Sequence, residues 1–365
     1  MKYFIIAGEP SGDLHGGSLV EQIYKNDEDA IIIGWGGKNM ESKGMKKLKD
    51  YKDLAFMGFV EVVQHLPKIL QNIKDCKNQI LEFQPDVVVF IDYPGFNLRI
   101  AKWAKENGFK TAYYISPQVW AWKENRINSI KKHIDEMLVI LPFEKQFYAK
   151  HGVEVKYVGH PMTERVMKSL HEPFPKSWSK KPIIGLLPGS RKQEVKKHLS
   201  IMEKVATFFH DYDFYISKVS HLDYAIYEPY LKRSNVHLFE QTNSDIFKLS
   251  EAIIVASGTA TLEAALYGTP QVVCYKGNWV SYILAKSLIK VPYISLVNLI
   301  LNKNAVEELI QEDCNATMIA TALQRLFQSD KADALQQDYT KLWEVLGQKN
   351  ASFEASKAII KLAHS

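Results

Sequence analysis

The eleven residues from Ile253 to Glu263 carry the densest chemistry in this 365-residue chain. They read Ile-Ile-Val-Ala-Ser-Gly-Thr-Ala-Thr-Leu-Glu. A short apolar strand ends at Ala256, and a helix opens through Ser257-Gly258-Thr259. Backbone N–H groups in the first turn of a helix have no internal partner, and the helix dipole adds partial positive charge there. A glycine in that turn lets an anion approach the backbone, which suits a phosphate or diphosphate. Glu263, one turn on from Thr259, is placed to accept hydrogen bonds from sugar hydroxyls. Together they suggest a nucleotide. Taken alone, the motif favours an ordinary strand–turn–helix corner with Ser257 as N-cap.

Other loops add to this. Leu187-Pro188-Gly189-Ser190-Arg191 ends another apolar run, and Arg191 can grip a diphosphate with its planar fork. Two anion sites in one half of the chain shift the reading towards a nucleoside diphosphate. Gly8-Glu9-Pro10-Ser11-Gly12-Asp13-Leu14-His15 follows the first strand and matches neither dinucleotide nor Walker patterns. A polar-substrate loop fits it better than a metal site, with Asp13 equally plausible as a helix N-cap. In Val87-Val88-Val89-Phe90-Ile91-Asp92-Tyr93-Pro94-Gly95 a buried strand leads into a carboxylate. Partial desolvation there raises Asp92 towards a useful general base, and a helix-capping role weighs equally. Trp120 and Trp122 read as packing that orders their loop.

The elements that position these residues alternate strand and helix. Strands are expected near 3–7, 30–34, 87–92, 111–115, 136–141 and 155–158. A second series follows at 183–187, 214–217, 236–239, 252–255 and 271–274. Helical patterns fill the gaps, including 60–83, 96–107 and 144–151, and the tail from Ala316 is helical. Continuous apolar runs alternating with helices predict α/β architecture with mainly parallel sheets. The reading is two doubly wound, Rossmann-like domains facing each other across a cleft: residues 1–170, a Pro/Ser/Lys linker at 171–182, and residues 183–347. A last helix near 348–365 is open to packing back on the first domain. Ligands in such sheets sit at the carboxyl ends of the strands.

Composition is that of a globular protein, 46% apolar and 24% charged, with net charge +5. Short, interrupted Lys/Arg clusters suit phosphates or an anionic membrane surface, and no nucleic acid is expected as a partner. Cys76, Cys274 and Cys314 are far apart, which points to a reducing compartment. The first apolar run is too short for a signal peptide, and no stretch reaches the roughly 20 residues of a membrane span. The segment Phe56–Leu70 gathers large apolar residues beside an expected loop, as an internal helix face or as a patch for acyl chains and membrane.

Eight motifs together resemble the lipid-A-disaccharide synthase family. They are Gly8–Asp13, Met57–Val62, Ile91–Asn97, Ser116–Trp122, Leu141-Pro142-Phe143-Glu144, Val158-Gly159-His160-Pro161, Leu187–Arg191 and Ser257–Glu263. The similarity runs in the family's order from residue 3 to about residue 311. It implies a GT-B hexosyltransferase, inverting and independent of metal, with no cofactor. Such an enzyme joins UDP-2,3-diacylglucosamine to 2,3-diacylglucosamine 1-phosphate (lipid X), releasing UDP and a β-1,6-linked disaccharide. The resemblance makes Asp92 the base, with Glu9 and Ser11 on the acceptor side. UDP falls to Arg191, Ser257, Gly258, Thr259, Glu263, Asn298 and Gln311. Acyl chains and the cytoplasmic surface of the inner membrane fall to Met57, Phe59, Val60, Val63, Leu66, Ile69 and Leu70, and a homodimer is left open.

The chain departs from the family where it has Asn302-Lys303 for the usual Gly-Arg and Glu307 for a proline. An epimerase or peptidoglycan glycosyltransferase of the same architecture would share the Ser257 loop but not the Asp92 or Trp120-Ala121-Trp122 motifs. A non-catalytic lipid- or nucleotide-binding protein would not need Asp92.

Overall fold

A strand covered on both faces has to be apolar throughout, and Tyr3–Ala7 and Val87–Ile91 are fully buried at every position. The computed structural model describes residues 1–54, 66–173, 178–279, 282 and 291–365. In it these runs form β1 (Lys2–Ala7) and β4 (Val87–Ile91), paired in parallel with Tyr3 beside Val87. They are central in a seven-stranded parallel sheet with β2 (Ile31–Gly36), β3 (Lys46–Asp50), β5 (Lys110–Tyr114), β6 (Glu136–Val139) and β7 (Lys156–Tyr157). Its order is β3-β2-β1-β4-β5-β6-β7.

A second parallel sheet contains β8 (Ile183–Leu187), β9 (Asp213–Ser217), β10 (Val236–Phe239), β11 (Ala252–Ala256), β12 (Gln271–Tyr275) and β13 (Glu307–Ile310). Its order, β10-β9-β8-β11-β12-β13, repeats the plan of the first. Each sheet is wound outward from one strand, so the direction reverses between β1 and β4 and again between β8 and β11. Such a switch point splays the following loops apart and opens a crevice at the carboxyl end. The loops singled out from sequence, after β1, β4, β8 and β11, flank these two points.

The chain forms two compact units, Met1–Pro161 with Lys349–Ser365, and Met162–Gln348. In the first, alternation along β1 sends Tyr3, Ile5 and Ala7 into one apolar cluster and Phe4 and Ile6 into another. The first cluster takes in Ala355 and Ile359 of the final helix, Ala351–His364. In the second unit, Val195, Leu199 and Met202, spaced along one face of the helix Lys192–Val205, close the core over β8.

β3 and β13 were not expected. Both are sheet edges, written Lys-Lys-Leu-Lys-Asp and Glu-Glu-Leu-Ile, and a polar edge has no apolar run to betray it. The helix expected over 60–83 is described from Leu66 to Phe83. Its first residues Leu66 and Leu70 are about half exposed, at 50% and 58%, with Ile69 partly buried. Met57, Phe59, Val60 and Val63 lie outside the described residues. Among the described residues no helix is long and apolar enough to cross a membrane.

Candidate active site

The second unit holds a cavity of about 790 Å³ at the carboxyl ends of β8 to β11. Pro188, Gly189 and Ser190 wall one side, and Ser257 to Ala260 with Glu263 wall another. The remaining wall comes from the loops after β9 and β10, including Lys218, Glu240 and Asn243. The size suits a nucleotide. The eight-residue helix Thr259–Leu266 points its N-terminus at this space, with Gly258 as an N-cap that carries no side-chain bond. Ser257 is therefore not the cap. Its hydroxyl donates instead to the Ile294 carbonyl at 2.9 Å. Gly189 has φ +113, and a Cβ there would press Glu194 Oε2 at 3.0 Å, so the turn requires glycine.

Three carboxylates face the cavity, and each has its own cation. Glu240 pairs with Lys218, Glu194 with Arg191 at 3.5 Å, and Glu263 with Arg165 at 2.5 Å. Burial pushes the Glu263 carboxyl up, and the Arg165 guanidinium opposes that rise. Arg191 is mostly exposed and is not part of the cavity wall. Arg165 had no motif to announce it, since its partner is 98 residues away.

Asn298 and Gln311 lie off this cavity. Asn298 is wholly buried, donates to Val306 O and Glu308 Oε1 at 2.8 Å, and accepts from the N–H groups of Ala305 and Val306. Glu308 in turn accepts from the N–H groups of Ile294 and Ser295, both at 2.9 Å. This network fixes the carbonyl that holds Ser257. Gln311 has φ +52, and its Oε1 accepts from the Gly277 N–H at 3.1 Å.

In the first unit, Asp92 shares a smaller cavity of about 200 Å³ with Ile115, Ser116, Gln118, Trp122 and Glu144. The backbone around it is strained. Asp92, Tyr93 and Ile115 have φ of +45, +50 and +65, and left-handed geometry at a β-branched residue is rare. Such strain persists only where the surroundings over-determine it, and it gathers at functional sites. Here the Asp92 carbonyl accepts from the Tyr113 hydroxyl at 2.6 Å and from Asn97 Nδ2 at 2.7 Å. The Tyr93 ring lies where a Cβ on Gly8 would come within 2.2 Å, so the first loop and the Asp92 turn fit only with glycine there.

The following helix, Pro94–Glu106, starts at Tyr93 without a side-chain cap, which removes the capping reading of Asp92. Its carboxyl is pushed up to about 6, by burial first and then by the charge of Glu9. Ser11 is exposed, and neither it nor Glu9 lines the small cavity. Glu144 is a second raised carboxyl in the same space, at about 7 through burial. It accepts from the Leu141 N–H at 2.9 Å and from Trp120 Nε1 at 3.3 Å. Trp120 packs edge-on against Phe143, as expected of an ordering residue, while Trp122 is exposed at the cavity.

Asp13 does not cap its own helix, Pro10–Asn26, whose N-cap is Glu9, but it caps the start of the helix Lys38–Ser42. Its buried carboxylate accepts from the N–H groups of Gly37, Asn39 and Met40 and from the Asn39 side chain, tying two helix starts together. Among the described residues no three His, Cys, Asp or Glu side chains are grouped to hold a metal ion.

Two parallel sheets wound alike, one ending on a glycine-containing strand–helix corner and the other on a raised carboxyl, give the chain the GT-B fold. The glycosyltransferase of kitacinnamycin matches with TM-score 0.68 at 11% identity, covering 99% of this chain and 98% of that one. The UDP-GlcNAc 2-epimerase of Neisseria meningitidis, solved with UDP-GlcNAc, matches at 0.63 and 13%, covering 99% of each. Sequence narrows this further: the chain belongs to the lipid-A-disaccharide synthetase family, whose profile matches residues 3–362. The lipid-A-disaccharide synthase of Trichlorobacter lovleyi is 38% identical over 95% of this chain and 93% of its own length. That of Nitrosococcus oceani is also 38% identical, over 94% and 92%.

Proposed function

We propose that the protein transfers the sugar of UDP-2,3-diacylglucosamine to the 6-hydroxyl of 2,3-diacylglucosamine 1-phosphate, releasing UDP and a lipid A disaccharide 1-phosphate. In this reading Asp92 takes the proton of the acceptor hydroxyl. The hydroxyl oxygen then attacks the sugar's anomeric carbon as the bond to UDP breaks, and the configuration inverts. The observation that carries it is Asp92 itself, a raised carboxyl held in strained backbone at a switch point within a chain of this family.

The second unit takes UDP. Backbone N–H groups at Gly258 and Thr259 and the turn at Gly189 and Ser190 receive the diphosphate, and Glu263 receives the ribose. Arg191 reaches the diphosphate by leaving Glu194, a weak pairing at an exposed site. Fixed dipoles and a guanidinium together stabilise the leaving diphosphate, so no metal ion is needed. Asn298 and Gln311 act by shaping the loops that hold Ser257 and Gly277. The first unit takes the acceptor, with Glu9 and Ser11 at its entrance. Leu66, Ile69 and Leu70, with the apolar residues that precede them, contact acyl chains and the cytoplasmic face of the membrane as a peripheral attachment.

The test is to incubate purified protein with both acylated sugars, with and without a chelator, and to follow disaccharide and UDP. Both products should form at equal rates in the two reactions. No disaccharide from the paired substrates would end the reading, and loss with chelator alone would end its metal-free part.

A further inference from the structure

His198 lies on the helix Lys192–Val205, is 4% exposed, and uses both ring nitrogens on backbone groups of two different loops. Nδ1 is 2.8 Å from the Pro188 carbonyl, which can only accept, so Nδ1 carries the hydrogen. Nε2 is 3.1 Å from the Lys276 backbone N–H, which can only donate, so Nε2 is bare. One neutral tautomer satisfies both. Pro188 opens the Gly189-Ser190 turn of the large cavity. Lys276 and Gly277 are joined on their far side to Gln311, through Lys276 Nζ to Gln311 O at 2.6 Å and the Gly277 N–H to Gln311 Oε1.

We infer that His198 is a positioning residue for the nucleotide site, bracing the Pro188–Ser190 turn against the loop after β12 so that the turn is already shaped when a nucleoside diphosphate arrives. Pre-forming an anion turn lowers the ordering cost of binding. The brace is acid-sensitive. A proton on Nε2 would face the Lys276 N–H with a second donor and break the contact. Burial holds the ring below its ordinary value, Glu194 on the same helix favours the charged form, and Lys197 opposes it. The other charged group beside it, Lys276, directs its ammonium to Gln311 O.

The inference rests on the large cavity being the UDP site, and the test separates the two. UDP binding would be measured by calorimetry at pH 7.5 and 5.5 for the wild type, His198→Leu and His198→Gln, with donor KM and kcat at pH 7.5. His198→Leu should bind UDP at least tenfold more weakly and raise donor KM while keeping most of kcat. His198→Gln, whose amide can accept from Lys276, should recover part of the affinity. Any weakening of wild-type UDP binding on acidification that comes from His198 should be absent in both variants. Equal UDP affinity at pH 7.5 in wild type and both variants would overturn the brace. If the wild type binds no UDP, the nucleotide reading fails first. The brace is then decided by the imidazole ¹⁵N shifts without ligand, which should report Nδ1–H; an Nε2–H tautomer sinks it.

Discussion

Arg165 Nη2 lies 2.5 Å from Glu263 Oε1, and that contact opposes the rise that burial imposes on a carboxyl in the wall of the large cavity. Glu263 is 7% exposed, so an uncompensated charge there would be costly. Arg165→Met should destabilise the protein by about 1–3 kcal/mol, the cost of stranding a buried hydrogen-bonded group. Arg165→Met with Glu263→Gln should recover part of that loss in chemical denaturation, because the charge is gone. Additive single effects would show that the pair is not coupled.

Asp92 gives a prediction in two opposed directions. As a base it works only when ionised, so turnover should fall as pH drops through about 6. Asp92→Asn should bind UDP normally and make no disaccharide; near-normal turnover would remove Asp92 from the chemistry. Stability should run the other way. A carboxyl whose folded value is raised above its unfolded value favours the folded state below the unfolded value, and that advantage is lost as pH rises through about 6. Asp92→Asn should therefore melt above the wild type at pH 7.5, and the gap should shrink as pH falls towards 4.

Gly258 faces open space. A Cβ there meets nothing within 4 Å, and its φ of 161° is extended backbone open to any residue. Gly258→Ala should leave the melting temperature within a degree or two of wild type. UDP affinity should drop roughly tenfold, about 1.4 kcal/mol, because the methyl intrudes where the phosphate nears the backbone. Unchanged affinity would move the diphosphate elsewhere.

Glu144 should matter through the loop it anchors. Glu144→Ala frees Trp120 Nε1 and the Leu141 N–H, which loosens the Ser116–Trp122 loop beside Asp92. Expected are a red-shifted tryptophan emission and a kcat reduced about tenfold with UDP affinity unchanged. A loss confined to UDP binding would contradict this placement.

Much of this arrangement can be read in the chain before it folds. Central strands are legible because burial on both faces forces unbroken apolar runs, and the loops after β1, β4, β8 and β11 are legible because glycine and polar residues interrupt those runs abruptly. The polar edges β3 and β13 leave no such mark. Arg165 is invisible because its role exists only once a residue 98 positions away is folded beside it. Glu144 had a sequence signal, a glutamate three residues into a helix that reaches back to its start at Leu141, but its place beside Asp92 depends on neighbouring strands. The left-handed turn at Asp92 is held by Tyr113 and Asn97 gripping its carbonyl, which no local propensity encodes.

The final helix returns to the first unit, so that unit is written in two pieces with the whole second unit between them. Until that helix docks, the first unit lacks Ala355 and Ile359 against β1. The second unit is continuous in the chain and can close its core by itself, whereas the half bearing Asp92 keeps an open apolar face until Lys349–Ser365 docks.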